Sequence, residues 1–147
     1  MTTVTTPSNT PMIALAGDVM AGRGVDQILP SPSSPRLYER HVGDARVYVR
    51  LAERRNGRVP RPVPPGYVWG AARETLARRA PAAFLMNLET AITVAEQPWP
   101  GKGIHYRMHP RNAPVLTQAG TEPDKSCCIL ANNHILDWGY RGSPTRS

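Results

Sequence analysis

Lysine is nearly missing from this chain, which has Lys102 and Lys125 and no others, yet its formal net charge is +7. Arginine carries the excess. Arg36, Arg40, Arg46, Arg50, Arg54, Arg55, Arg58 and Arg61 crowd one stretch, with Glu39, Asp44 and Glu53 among them. A cationic excess attracts polyanions, but charge alone reads no sequence. This scatter is that of a solvated basic face, and no nucleic-acid partner is expected. Long hydrophobic runs are missing too. The apolar run at residues 12–16 is far too short for a signal peptide or a membrane span, and residues 1–11 before it are rich in Thr, Ser and Pro and uncharged. With no export signal and no membrane anchor in view, a cytoplasmic location is expected.

Cysteine is limited to the adjacent Cys127 and Cys128, a spacing that suits neither a zinc site nor a disulfide between the two. Strand neighbours point to opposite faces, so buried, reduced thiols are expected. Aromatic residues make up 6% of the chain, while its 16 prolines are roughly twice the usual share. Much of the chain is therefore expected to be ordered loop. At 147 residues there is room for one domain around one core.

What the sequence does have is three short apolar runs, at residues 12–16, 83–86 and 127–131. Each is of strand length and lacks alternation, the pattern of strands buried on both faces. Helical patterns lie between them. Residues 44–56 carry Ala45, Tyr48, Leu51 and Ala52 at helical spacing, with Asp44 as N-cap and Gly57 just past the end. Residues 68–80 put Val68, Ala72, Thr75 and Leu76 on one side and stop before Pro81. Residues 112–119 predict a shorter helix, with Pro114 early and Gly120 as terminator. Residues 29–36 and 59–66 read as extended, Pro-rich connectors. Strand, helix, strand, helix, strand is the order of an α/β layered fold with mostly parallel strands.

The polar residues directly after each run carry the chemistry. The first run leads into Gly17-Asp18, the second into Asn87-Leu88-Glu89-Thr90, and the third into Asn132-Asn133-His134. Ligands of open α/β sheets bind beyond the carboxyl ends of the strands. Two carboxylates and an amide carbonyl gathered there repel or stay unsatisfied unless a cation or hydrogen-bond donors share them. A divalent ion meets that need, and one carboxylate can bridge two ions ~3.5–4 Å apart. His134, next to the ligand Asn133, could then face a substrate as general acid. Gly17, Gly22 and Gly24 would let the first loop pass close to a ligand. Each motif alone has a plain structural use, as a turn or a helix cap. All three at strand ends favour a site.

In order and spacing, four segments resemble the CapA family: the run from Gly17-Asp18 to Arg23-Gly24, Asn87-Leu88-Glu89-Thr90, Tyr106-Arg107-Met108-His109-Pro110, and Leu130 to His134 with Leu136-Asp137-Trp138-Gly139. That family is linked to poly-γ-glutamate capsule synthesis and is similar to calcineurin-like metallophosphoesterases. The resemblance implies the N-terminal part of a metallophosphatase-like α/β/β/α sandwich with a centre of two divalent ions, manganese or similar. It implies Asp18 as a ligand of the first ion, Glu89 in place of a bridging Asp, Asn133 as a ligand of the second ion, and His134 as proton donor to the leaving group. Met20 stands where the phosphoesterases carry a histidine ligand, and a thioether is a poor ligand for a hard ion.

Arg23, Lys102 and Arg107 could meet an anionic substrate at the mouth of such a site, or serve as surface cations and structural donors. His105 and His109 have the i, i+4 spacing of a zinc pair, but Pro110 biases His109 away from helix. His109 is expected to hydrogen-bond within a loop and His41 to lie on a helix surface. The expected division is a flexible tail at 1–11, a partial CapA/metallophosphatase-like domain at 12–142 and a polar tail at 143–147. Relatives of this type supply further histidine ligands after the Asn-Asn-His motif, so the chain reads as a domain cut short. The expected activity is metal-dependent hydrolysis of a phosphoester, with an anionic polymer among the possible substrates, weak or absent without a missing C-terminal half. The alternative is a non-enzymatic half-domain that binds a partner chain. Either way, one or both sheet faces and an edge should be open.

Overall fold

The computed structural model describes residues 10–140. The expected tails, up to residue 9 and at 143–147, lie outside the described residues. Strand β1 is Ile13–Val19, helix α1 is Arg46–Asn56, helix α2 is Ala71–Arg79 and strand β2 is Ala83–Leu88. The short strands β3 (Ala91–Ile92) and β4 (Arg107–Met108) come next, then the one-turn helix α3 (Pro114–Thr117) and strand β5 (Ser126–Ile129). The main sheet has the order β1-β2-β5 with both pairings parallel, and β3 and β4 form a second parallel pair. This is the expected mixed α/β architecture with parallel strands, consistent with a metallophosphatase-like fold.

The expectation of strands buried on both faces is corrected. Strand β2 alternates, with Phe84, Met86 and Leu88 buried and their neighbours only partly so. The buried side packs against Ile28, Val49, Val63, Met108 and Val115, and Trp69 meets Phe84 edge to face at 5.7 Å. On the other face Ile13, Leu15 and Ile129 are 61%, 76% and 45% exposed. An apolar run without alternation is read as buried twice over, but here one layer covers one face only. The open face anticipated for a partial domain is present. Cys127 lies on it and is exposed, while Cys128 points inward and is half-buried, where burial pushes its thiol above the usual range. The thiols are free but not both buried, because the face that carries Cys127 is uncovered.

The N-cap of helix α1 is Ala45 rather than the expected Asp44, which sits one residue earlier and accepts from the Arg46 backbone N–H at 2.8 Å, and Gly57 ends the helix at φ +82°. Its inner stripe is Ala45, Tyr48 and Val49, whereas Leu51 is exposed. The second helix is shorter than its pattern, because Gly70 at φ +49° separates a 3-10 turn at Pro65–Trp69 from α2. Of the four residues expected on its inner side, Leu76 and Val68 are partly buried, and Val68 belongs to the turn. His41 is exposed but sits in a bend ahead of α1. All eight arginines between residues 36 and 61 are exposed, as a solvated basic face requires. Among the described residues, no helix is long and apolar enough to cross a membrane.

Candidate functional site

Parallel strands β1, β2 and β5 deliver their carboxyl ends to one edge of the sheet. Asp18 is inside β1 rather than after it. The pairing runs Ala16 opposite Met86 and then Asp18 opposite Asn87, leaving Gly17 as a bulge. One extra residue in a strand reverses the sidedness of every residue beyond it. Without the bulge Asp18 would continue the inward row of Ala14 and Ala16; with it, Asp18 stands beside Asn87.

Asn87 Nδ2 donates to Asp18 Oδ1 at 2.8 Å and to Glu89 Oε2 at 3.3 Å, so one amide bridges the two carboxylates. Asn132 Nδ2 donates to Asn87 Oδ1 and to the Leu88 carbonyl, each at 2.9 Å, and Asn132 Oδ1 accepts from the His134 backbone N–H at 3.0 Å. Asn132 is therefore linked to the carboxylate pair through Asn87. Asn133 is exposed, and its backbone carbonyl accepts from Lys102. Adjacent asparagines in a turn point to different sides, which spacing alone does not resolve.

His134 is buried, with its Nε2 at 3.5 Å from Glu89 Oε1 and its Nδ1 at 2.7 Å from Asp137 Oδ2. The Tyr106 ring lies 4.4 Å from the imidazole. Asp137, fully buried, is the partner of His134 to which the sequence reading gives no role. It also accepts from the Tyr106 backbone N–H at 2.6 Å and pairs with Lys102. The i, i+3 spacing of His134 and Asp137 is the signal that could have found it. A carboxylate on one ring nitrogen fixes the tautomer and leaves the other nitrogen aimed at Glu89.

The three expected anion contacts are all held by protein acceptors. Arg23 pairs with Glu39 at 2.7 Å and bonds the Tyr48 hydroxyl, and Lys102 pairs with Asp137. Arg107, also buried, donates to the Ala95 and Ser34 carbonyls and lies 4.0 Å over Trp138. His105 and His109 serve separate local structures. His105 Nε2 meets the Trp99 carbonyl at 2.8 Å, and His109 Nδ1 accepts from the Arg111 backbone N–H at 3.1 Å.

Gly22 and Gly24 bring the first loop close to neighbouring parts of the protein. A Cβ on Gly22 would meet the Arg107 backbone oxygen at 2.8 Å, one on Gly24 the Tyr48 Cβ at 2.9 Å, and one on Gly17 nothing. Gly22→Ala is expected to destabilise the chain by about 1–3 kcal/mol, since neither backbone can yield cheaply. Gly17→Ala should be close to neutral. Urea melts of the two variants compare them directly.

Glu89 has its carboxyl pushed above the ordinary 4.5, first by desolvation and then by the hydrogen bond and charge of Asp18, with His134 acting in the opposite direction. Its proton favours the fold. That contribution is full below the unfolded pKa and is lost as pH rises through the raised folded value. Asp18→Asn is expected to bring the Glu89 titration down toward 4.5 without reaching it, because desolvation remains; carbonyl-detected NMR titration reads the shift. An unchanged midpoint would rule out coupling between the two carboxylates.

Among the described residues, no three His, Cys, Asp or Glu side chains are grouped so as to hold a metal ion. Asp18 and Glu89 are the two carboxylates at the edge, with amides from Asn87 and Asn132 beside them. The carboxylate oxygens are the hard donors a divalent ion would take, whereas the Asn87 amide turns its nitrogen toward them.

Residues 12–145 match the family described as bacterial capsule synthesis protein PGA_cap. Two curated relatives, each called a probable polyglutamine synthesis accessory protein, come from Mycobacterium tuberculosis strains CDC 1551 / Oshkosh and ATCC 25618 / H37Rv. Each is 52% identical over 130 residues, which cover 88% of this chain. The aligned part is 33% of each relative, so the chain spans about a third of the length of the curated relatives it matches. No solved structure matches it. A family match over nearly the whole length places this chain in the bacterial capsule synthesis PGA_cap family.

Proposed function

We propose that the edge built by Asp18, Glu89 and His134 is the N-terminal share of a divalent-metal phosphoester hydrolase site. The observation that supports it is the single amide of Asn87 shared by two carboxylates, one of them kept from ionising freely. A cation between those oxygens would satisfy both without a proton. Asp18 and Glu89 would hold the ion, manganese or a similar one, with Asn132 or Asn133 as neutral donors. When bound, the ion supplies positive charge to a phosphoryl group and acidifies water. His134, oriented by Asp137, would give a proton to the leaving oxygen through Nε2. Tyr106 covers one side of the ring and limits its motion. A second ion would require ligands beyond these residues.

Isothermal titration of manganese into the 147-residue chain tests the reading, and it should bind weakly. Asp18→Ala and Glu89→Gln should each weaken binding by at least about tenfold, the usual cost of disturbing a metal site. Manganese affinity untouched by both substitutions would place any ion elsewhere. Phosphodiesterase activity of this chain alone should be slight.

A second reading is favoured by the exposed face of Ile13, Leu15 and Ile129. On that reading the chain is a half-domain whose sheet is completed by a partner chain, and catalysis is not its own. Co-expression with the remaining two thirds of a relative, followed by co-purification, separates the readings. An Asp18→Ala chain should still co-purify if the role is purely structural.

A further inference from the structure

Beside the strand-end cluster, a cavity of about 370 Å³ opens between the loop after β1 and helix α1. That volume lies within the range of small-molecule sites. Its walls are Val25 and Ile28 from the loop, Val49 and Ala52 from α1, and Val59 beyond it, with the flat rings of Tyr48 and Tyr106 on two sides. Two residues join it to the candidate site. Met20 lies two positions after Asp18 and is 45% exposed at the rim, and the Tyr106 ring that lines the cavity lies 4.4 Å from the His134 ring. A group anchored at the carboxylates therefore has this cavity as its neighbour.

The charge of the wall narrows the class of occupant. Arg23 is the one ionised side chain in the lining, and its guanidinium lies 4.1 Å over the Tyr48 ring while pairing with Glu39 at 2.7 Å. Glu39 also takes the Tyr48 hydroxyl at 2.6 Å. Glu39 thus offsets the charge of Arg23, although Arg23 Nε and Glu39 Oε1 keep no hydrogen-bond partner, and an anion entering the cavity would meet a cation that already has a counter-charge. An uncharged ring finds aliphatic walls and two aromatic faces, which favour flat partners.

Building on the metal-site reading, we propose that this cavity is the subsite for an uncharged, ring-sized organic group of the substrate, the part on the far side of the scissile phosphoester. The substrate class is then a phosphoester whose leaving group is an apolar alcohol or phenol. A uniformly anionic polymer would find no cation here without a counter-charge.

The test uses the full 147-residue chain with its methionine methyl groups labelled with carbon-13, and phenol as the probe. Met20 lines the cavity, whereas Met86 and Met108 are fully buried in the core and Met12 lies before β1. Phenol should shift the Met20 methyl signal saturably and leave those of Met86 and Met108 in place. Ala52→Phe and Val59→Phe, which fill the cavity from two elements, should each weaken that response at least about tenfold. If one of them fails to fold, the other decides. Equal shifts at all methionines, no shift at Met20, or a Met20 response unchanged in a folded filled variant would overturn the proposal. The titration needs no metal, so its failure is distinguishable from loss of manganese binding at Asp18 and Glu89.

Discussion

Asp137→Ala should lower the unfolding free energy by about 3–5 kcal/mol, the cost of removing one partner from a buried ion pair. The carboxylate has no exposed surface, and three donors depend on it: His134 Nδ1, Lys102 Nζ and the Tyr106 backbone N–H. Alanine leaves the N–H without an acceptor and the ammonium without a counter-charge. Lys102 keeps 25% of its side-chain exposure and can recover part of the loss by turning toward water. Against a domain stability of about 5–15 kcal/mol, such a loss leaves a much less stable chain. Asp137→Asn keeps the shape and should cost less, while still releasing the His134 ring from its tautomer. Urea denaturation gives the first quantity and nitrogen-15 NMR of the imidazole the second. A loss under about 1 kcal/mol in Asp137→Ala would mean that the carboxylate is not holding these groups.

Asp26→Ala should cost about 3 kcal/mol or more, by a different route. Asp26 is fully buried and accepts from the Ser33 backbone at 2.6 Å, the His109 backbone at 3.1 Å and the Asn112 amide at 2.8 Å. These bonds fasten the Pro-rich connector and the segment after β4 to the loop beyond β1. Asn112 extends the clasp through bonds in both directions with the Ser31 backbone. Groups sharing one network do not contribute independently, so the double variant with Asn112→Ala should lose less than the sum of the two single variants. Additive losses would indicate two separate contacts instead.

The three apolar runs, their parallel pairing and the gathering of polar residues at one edge are legible in the sequence. Sidedness is not. Leu15 and Ile129 look like core residues in a run without alternation, but a side chain is buried only where a second layer exists. Leu51 and Val49 raise the same question on α1, where spacing leaves the inner face two residues to choose between. At the site, Asp18, Glu89 and His134 stand out in the sequence and lie at one edge. Asn132 yields to its neighbour in a reading by motif, and Asp137 enters it without a role. The direction in which a turn aims consecutive side chains depends on backbone angles that the residue types do not fix. The Gly17 bulge is equally invisible, although it decides which face Asp18 adorns. Arg23, Lys102 and Arg107 show the limit of reading cations by type: each is a candidate for the mouth of a site, and each has an internal acceptor.

The order of the main sheet also governs how this edge comes into being. The central strand arrives second: Asp18 and Asn87 lie 69 residues apart in the chain, and Asn87 and Asn132 lie 45 apart. Neither contact can be rehearsed locally, and closing loops of such length must precede the pairing that rewards it. The carboxylate pair therefore has no precursor in a hairpin or a single helix, and it is completed when β2 settles between its neighbours. A probe on Glu89 should recover with the same time course as the core methionines during refolding, because site and sheet are one kinetic event.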